Sequence, residues 1–184
     1  MELVDVYDSQ RRRTGITAER GNIPSGGYRI IVHMCVFDDD WRMLIQKRAN
    51  GKISFPGYWD VSAGGQVDAG EEPCEGASRE LFEEMGIRRR FTPEDRVCTV
   101  SYGNIFEDYF ITGWTSRDSL YLQGSEVSEA MWATMDEISE LIEDRRFIQY
   151  RQSFIQSLFD CHYRFIPVED CGSDKAYYPY DRYV

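Results

Sequence analysis

One segment constrains this chain more than any other: a glycine-rich loop that runs into a helix carrying three glutamates on one side. Residues Pro73 to Met85 (PCEGASRELFEEM) form the best helix in the sequence. Proline suits the first turn, where its missing N–H is no loss. Acidic residues crowd the N-terminal end, as the helix dipole favours. Gly86 suits the position just past the C-terminus, which commonly turns left-handed. Glu80, Glu83 and Glu84 stand at i, i+3 and i+4, so about 3.6 residues per turn put all three on one face. Ala77, Leu81 and Met85 point instead toward a core. Like charges at this spacing repel one another, and they sit near the negative end of the helix. A sequence shaped by stability alone would not gather them there, and such conflicts mark function. Hard oxygen ligands in this pattern suit Mg²⁺ or Mn²⁺ rather than zinc. A merely solvated acidic face would have the same composition, so the residues before the helix decide.

Those residues follow a strand. Trp59–Ala63 reads as a short strand, Gly64-Gly65 and Gln66–Glu71 as a loop with a further turn glycine. Elsewhere, residues 2–8 alternate apolar and acidic and read as a strand, and Arg11–Arg13 as a solvated turn. Tyr28–Phe37 (YRIIVHMCVF) is a β-branched and aromatic run, a buried strand. Asp38–Asp40 turns it into Arg42–Arg48 as a hairpin. Val97–Tyr102, Phe106–Trp114 and Ala130–Ala133 are further strands. Asp136 is the expected N-cap of a helix to about Arg145. A last helix, Phe147–Tyr163, carries Phe154, Leu158 and Cys161 on one stripe. A Tyr-rich tail begins near Pro167. Strands, one helix, strands, then helices predict an α+β fold, a mixed sheet between helices. The expected organisation is an N-terminal strand extension over residues 1–27, a main body over 28–146, and a C-terminal helix and tail over 147–184.

With the loop and helix taken together, the sequence resembles the Nudix hydrolase family. Gly65, Glu71, Arg79-Glu80-Leu81, Glu83-Glu84 and Gly86-Ile87 stand at the spacing of the whole Nudix box. The resemblance implies a Nudix-like α/β/α sandwich. It implies Mg²⁺, or Mn²⁺, held on Glu80 and Glu84, with Glu83 as a further ligand or as a base. It implies that Arg79 pairs with Glu71 to orient helix against loop, that Gly65 and Gly86 shape the motif, and that a carbonyl of Gly64 or Gly65 reaches the metal. The implied reaction is attack of water at phosphorus, splitting a diphosphate in a nucleoside diphosphate-linked or other small phosphorylated metabolite. A carboxylate from outside the box often joins such sites. Glu107, Asp108, Glu126 and Glu129 are the candidates, each otherwise a solvated loop carboxylate.

The stretch from His33 through Leu44–Arg48 to Phe55–Asp60 further resembles the Nudix branch of isopentenyl-diphosphate isomerase. That branch uses a cysteine shortly after the tryptophan, and this chain has Ser62 and Ala63 there. A hydroxyl is a far weaker acid than a thiol. Hydrolysis is therefore the leading reading. Isomerase-like chemistry and a non-catalytic nucleotide-sensing module are the alternatives. His33 reads as a strand histidine satisfied by local hydrogen bonds. Lys47 and Arg48 at the strand end, and Tyr58, are candidate substrate contacts.

Composition narrows the partners. A net charge of −11 opposes binding to a nucleic-acid polymer, which demands basic surface. No apolar run is long enough for a membrane span. The N-terminus has neither a basic nor an apolar leader segment, so a cytoplasmic setting is expected. Cys35, Cys74, Cys98, Cys161 and Cys171 are scattered without a C-x-x-C pair, as reduced thiols would be. The N-terminal strands and the tail are possible homodimer elements.

Overall fold

The structure, a computed structural model, describes residues 3–114 and 120–162. The chain opens with an antiparallel hairpin, β1 (Leu3–Tyr7) and β2 (Arg13–Glu19). The main sheet is built on β3 (Arg29–Phe37), whose β-branched and aromatic residues favour a pleated, buried position. Its even-numbered side chains, Ile30, Val32, Met34 and Val36, pack with Ala77, Leu81 and Met85. On the other face, Arg29, Ile31 and His33 line a cleft, and Cys35 and Phe37 are covered by Ile138, Ile155, Leu158 and Phe159. One strand thus carries two cores and the floor of a cleft, because successive side chains alternate between faces.

Next come β4 (Met43–Arg48), β5 (Trp59–Asp60), β6 (Ala63–Gln66) and α1 (Pro73–Met85). After a 3₁₀ turn at Pro93–Asp95 follow β7 (Arg96–Tyr102), β8 (Ile105–Gly113), β9 (Val127–Ala133), α2 (Met135–Glu143) and α3 (Gln152–His162). The strands form a mixed sheet of order β5-β4-β3-β8-β7, with β6 on β3 and β9 on β4. β3 and β8 run parallel from Arg29↔Ile105 to Phe37↔Gly113. Helix α1 covers one face, and α2 and α3 the other.

The sheet forks. The expected hairpin of β3 and β4 pairs only at Phe37↔Met43, after which the strands diverge. The stretch Trp59–Ala63, expected as one strand, is divided between the two arms. β5 pairs with β4 and β6 with β3, so Gly64–Gln66 belong to a strand rather than to the loop. Ser62 crosses the fork and ties it. Its buried hydroxyl accepts the Val36 N–H at 2.8 Å and donates to the Leu44 carbonyl at 2.5 Å.

Other departures have local causes. Thr134, not Asp136, caps α2: the Glu137 N–H donates to Thr134 Oγ1 at 3.3 Å, and the Glu137 carboxylate accepts the Thr134 N–H at 2.8 Å. Helix α3 starts at Gln152 rather than Phe147, because the preceding backbone bonds to Trp59 on both sides, through Arg146 O and Ile148 N. Pairing with β4 extends β9 back to Val127. Arg11–Arg13 is not a solvated turn. Arg11, at φ 61°, carries its guanidinium onto Asp108, and Arg13 opens β2. Tyr163, Cys171 and the Tyr-rich tail lie outside the described residues. Among those described, no helix is long and apolar enough to cross a membrane.

Candidate active site

Helix α1 is placed by its cap and by its apolar stripe. The Glu75 carboxylate accepts the Glu72 N–H at 2.9 Å at one end, and Gly86 turns left-handed at φ 74° at the other. With Ala77, Leu81 and Met85 fully buried, Glu80, Glu83 and Glu84 are turned into a cleft of about 1070 Å³ at the fork of the sheet. Glu84 is only 6% exposed. It accepts hydrogen bonds from Gln46 Nε2 at 2.9 Å and from the Gly64 N–H at 3.2 Å. Burial, then the negative charge of Glu80, push its pKa up to about 8, and those two hydrogen bonds only partly offset this. Burial likewise raises Glu80, against the pull of Arg79.

Arg79 is the hub of the loop. It makes a bidentate pair with Glu71 at 3.0 and 2.9 Å and donates to the Gln66 carbonyl at 2.9 Å. It also reaches Glu80 at 2.8 Å and Glu83 at 3.2 Å. The Glu71 hydrogen bonds, foremost, keep it firmly protonated. Glycine is required beneath these groups. A Cβ on Gly65 would land on the Glu80 carboxylate, and one on Gly64 would meet His33 Nδ1 at 2.8 Å.

A divalent cation fits this donor set. Glu84 is a buried carboxylate whose hydrogen-bond partners are both neutral, with a second carboxylate close enough to raise its pKa. Such a group is relieved by either a proton or a cation. Among the described residues no three acidic, histidine or cysteine side chains already converge on one point. Arg79 holds Glu80 and Glu83, while Gln46 and Gly64 hold Glu84.

The opposite wall was only partly legible. Glu107 and Glu126 line the cleft; Asp108 and Glu129 do not. Glu107 and Asp108 are not loop carboxylates but neighbours on β8, pointing to opposite faces. Asp108 is fully buried and paired with Arg11 and with Arg96 at 3.4 Å. Glu107 accepts from the hydroxyls of Tyr102 at 2.7 Å and Tyr109 at 3.0 Å. Burial pushes its carboxyl up, but His33 and the two hydroxyls outweigh this and hold it below the usual range. His33 is not satisfied by local hydrogen bonds. Both its ring nitrogens are buried without one, and Nε2 stands 3.5 Å from Glu107, too far for a normal bond.

Of the candidate substrate contacts, Arg48 lines the cleft, 3.5 Å from Asp60. Lys47 and Tyr58 are outside the lining. Lys47 pairs with Glu129 at 2.7 Å, over the Trp59 ring, and Tyr58 packs on Phe55. Ser62 is also outside it. Asp60 was not anticipated. It is 5% exposed, and burial raises its pKa against the pull of His33 and Arg48. A carboxylate following a tryptophan in a short strand was the available signal.

Comparison with known proteins matches the NUDIX domain model over residues 27–154. The chain belongs to the Nudix family. It is 35% identical to an uncharacterized Nudix hydrolase of Listeria monocytogenes, over 87% of this chain and 95% of that one. It is 29% identical to the isopentenyl-diphosphate delta-isomerase of Schizosaccharomyces pombe, over 68% of this chain and 65% of that protein. A Deinococcus radiodurans crystal structure (DR0079) superposes with a TM-score of 0.68 at 19% identity, over 89% of this chain and all of that one. That last likeness establishes the fold. The Nudix enzyme class acts on phosphoanhydride bonds of small molecules and generally uses divalent cations, and the chain is an enzyme of that class.

Proposed function

We propose that the enzyme is a Mg²⁺-dependent pyrophosphohydrolase of a nucleoside diphosphate-linked or similar small metabolite. The observation that carries this reading is Glu84: a buried carboxylate with only neutral hydrogen-bond donors, beside Glu80, lining the cleft. Glu80, Glu84 and the carbonyl of Gly64 would hold the ion. When bound, Mg²⁺ would neutralise charge on the diphosphate oxygens and acidify an attacking water. The chain's own residues do the rest. Arg79 locks the loop to the helix through Glu71 and steadies Glu80. Glu83, the most exposed of the three glutamates and held by Arg79 at 3.2 Å, would take a proton from water or join the ion. Arg48, on the cleft wall, offers a guanidinium to substrate phosphate. Mn²⁺ suits the same oxygens. Free thiols at Cys35, Cys74, Cys98 and Cys161 suit a reducing cytoplasm.

Isomerisation finds no support at Ser62. Its hydroxyl is committed to the fork of the sheet and does not line the cleft.

The test is phosphate or nucleotide release from a panel of nucleoside diphosphate derivatives with Mg²⁺. Turnover is expected to vanish with chelator, and Glu83→Gln and Glu84→Gln each to lower kcat by roughly a hundredfold or more. Undiminished turnover in both variants would remove catalysis from α1. Binding of the panel without turnover under Mg²⁺ or Mn²⁺ would make the protein a sensing module.

A further inference from the structure

Two bulky aromatic residues among those described, Trp41 and Phe55, have positive φ. That conformation crowds a side chain and persists only where the surroundings impose it. The Trp41 ring has a place in the fold, edge-on to His162 at 5.1 Å. The Phe55 ring, on a backbone at φ 49°, stays 40% exposed and lines the cleft. Its loop, between β4 and β5, is pinned rather than slack. The Arg48 Nε donates to the Ser54 carbonyl at 3.1 Å, the Gly57 N–H to the Arg48 carbonyl at 3.1 Å, and the Tyr58 N–H to the Phe55 carbonyl at 3.3 Å. Tyr58, outside the cleft lining, meets the Phe55 ring nearly at right angles at 5.7 Å. Backbone strain thus presents an apolar ring to a charged cleft, where the fold itself gains little from burying it.

Among the described residues, Phe55 and Tyr102 are the exposed large apolar side chains that line the cleft. Tyr102 has a task there, since its hydroxyl donates to Glu107 at 2.7 Å. Phe55 has no polar group to contribute, so its ring face is what it offers. Its position follows from β4. Gln46 of that strand holds Glu84. Arg48 stands two residues on, about 7 Å along the strand, and its guanidinium holds the Ser54 carbonyl next to Phe55. The wall therefore runs carboxylates, guanidinium, apolar ring. This is the order of diphosphate, linkage and base in a nucleoside diphosphate. The other lining residues of the Phe55 loop, Lys52 and Ser54, are polar, with Lys52 paired to Glu126. An alkyl arm would need enclosure in apolar surface, whereas a base needs one ring face and keeps its polar edges solvated.

We propose that Phe55 is a stacking platform for the base of the substrate, so that the organic arm of the diphosphate is a nucleoside. The diphosphate end of this assignment rests on the hydrolase reading above.

The test compares ADP, GDP, CDP and UDP with isopentenyl diphosphate, whose arm is aliphatic. Binding is measured by calorimetry with Ca²⁺ in place of Mg²⁺, and turnover of nucleoside diphosphate derivatives with Mg²⁺. The parent is expected to bind the best of the four nucleotides roughly tenfold more tightly than isopentenyl diphosphate, the scale of one base stacked on one ring. Phe55→Leu keeps an apolar side chain and removes the ring face. It is expected to erase that preference and leave isopentenyl diphosphate unchanged, and Phe55→Trp to preserve the preference. Equal binding of all five compounds by the parent, or binding of none, overturns the inference. So does a Phe55→Leu variant that weakens all five alike or none, or a loss of nucleotide preference that follows Tyr102→Leu and not Phe55→Leu. The two readings fail separately. A nucleotide preference that depends on Phe55, without hydrolysis, keeps the platform and removes the hydrolase; hydrolysis indifferent to Phe55 does the reverse.

Discussion

At the scale of single residues, the cleft owes its shape to Ser62. A continuous β3–β4 ladder would close the sheet at the place where Gln46 and Gly64 meet Glu84. The Ser62 hydroxyl instead serves both arms of the fork, accepting from Val36 and donating to Leu44, in a site with no solvent exposure. Ser62→Ala leaves a buried N–H and a buried carbonyl without those partners, and the expected loss is about 2 kcal/mol of unfolding free energy. Urea denaturation measures it. A loss below about 0.5 kcal/mol would mean that the two backbone groups find each other or water once the hydroxyl is gone. This residue also shows where reading the sequence stops. Ser62 stands out there only as a position lacking a thiol. Its true role depends on two strands, at Val36 and Leu44, that only the fold brings together. Asp60 escaped notice for the same reason, since its partners Arg48 and Tyr150 come from distant segments.

At the scale of elements, local chemistry was the legible part. The boundaries of α1 follow from Pro73 and Gly86 alone, and the glutamate face from helical spacing. What spacing could not reveal is how the loop before α1 is propped from outside the motif. The β1–β2 hairpin does this. The Leu3 carbonyl accepts the Ala69 N–H at 2.9 Å, and Asp5 accepts the Gly70 N–H at 3.0 Å. Arg13 donates to the Glu71 carbonyl at 2.5 Å and pairs with Glu72 at 2.9 Å. The hairpin is fastened in turn by Arg11 on the buried Asp108. These contacts act on the loop that carries the Arg79–Glu71 pair, so they position the site without entering it. Asp5→Ala and Arg13→Ala, which reach the ligands only through the loop and Arg79, are each expected to weaken Mn²⁺ binding about threefold, less than the roughly tenfold or more of a group bonded to a ligand itself. A Mn²⁺ titration followed by electron paramagnetic resonance reads this directly. Unchanged Mn²⁺ affinity in both variants, with only a lower melting temperature, would reduce the hairpin to scaffold.

At the scale of the whole molecule, the two cores on either side of the sheet are closed by different means, and one closure is sensitive to acid. The core under α1 is sealed by apolar side chains. At the far end of β3, His162 of α3 stacks on Phe37 at 4.3 Å, with Trp41 edge-on at 5.1 Å, and its Nδ1 is buried without a hydrogen bond. Burial lowers the pKa of this imidazole below its usual 6.5, against a weaker pull upward from Asp38. A histidine whose folded-state pKa is depressed binds fewer protons in the native state than in the unfolded chain around that pH. Its contribution to stability is therefore present above about pH 6.5 and is lost as pH falls through the lower, folded-state value. His162→Phe keeps an aromatic ring on Phe37 and removes the proton. Other carboxylates titrate on the way down to pH 5, so the difference between parent and variant is the quantity that isolates His162. In urea unfolding at pH 8, 7, 6 and 5, the variant is expected to gain on the parent only below about pH 6.5. A constant difference across that range would mean that α3 opens enough to solvate the imidazole before it titrates, and that the second core is held by Ile155, Leu158 and Phe159 without help from its last turn.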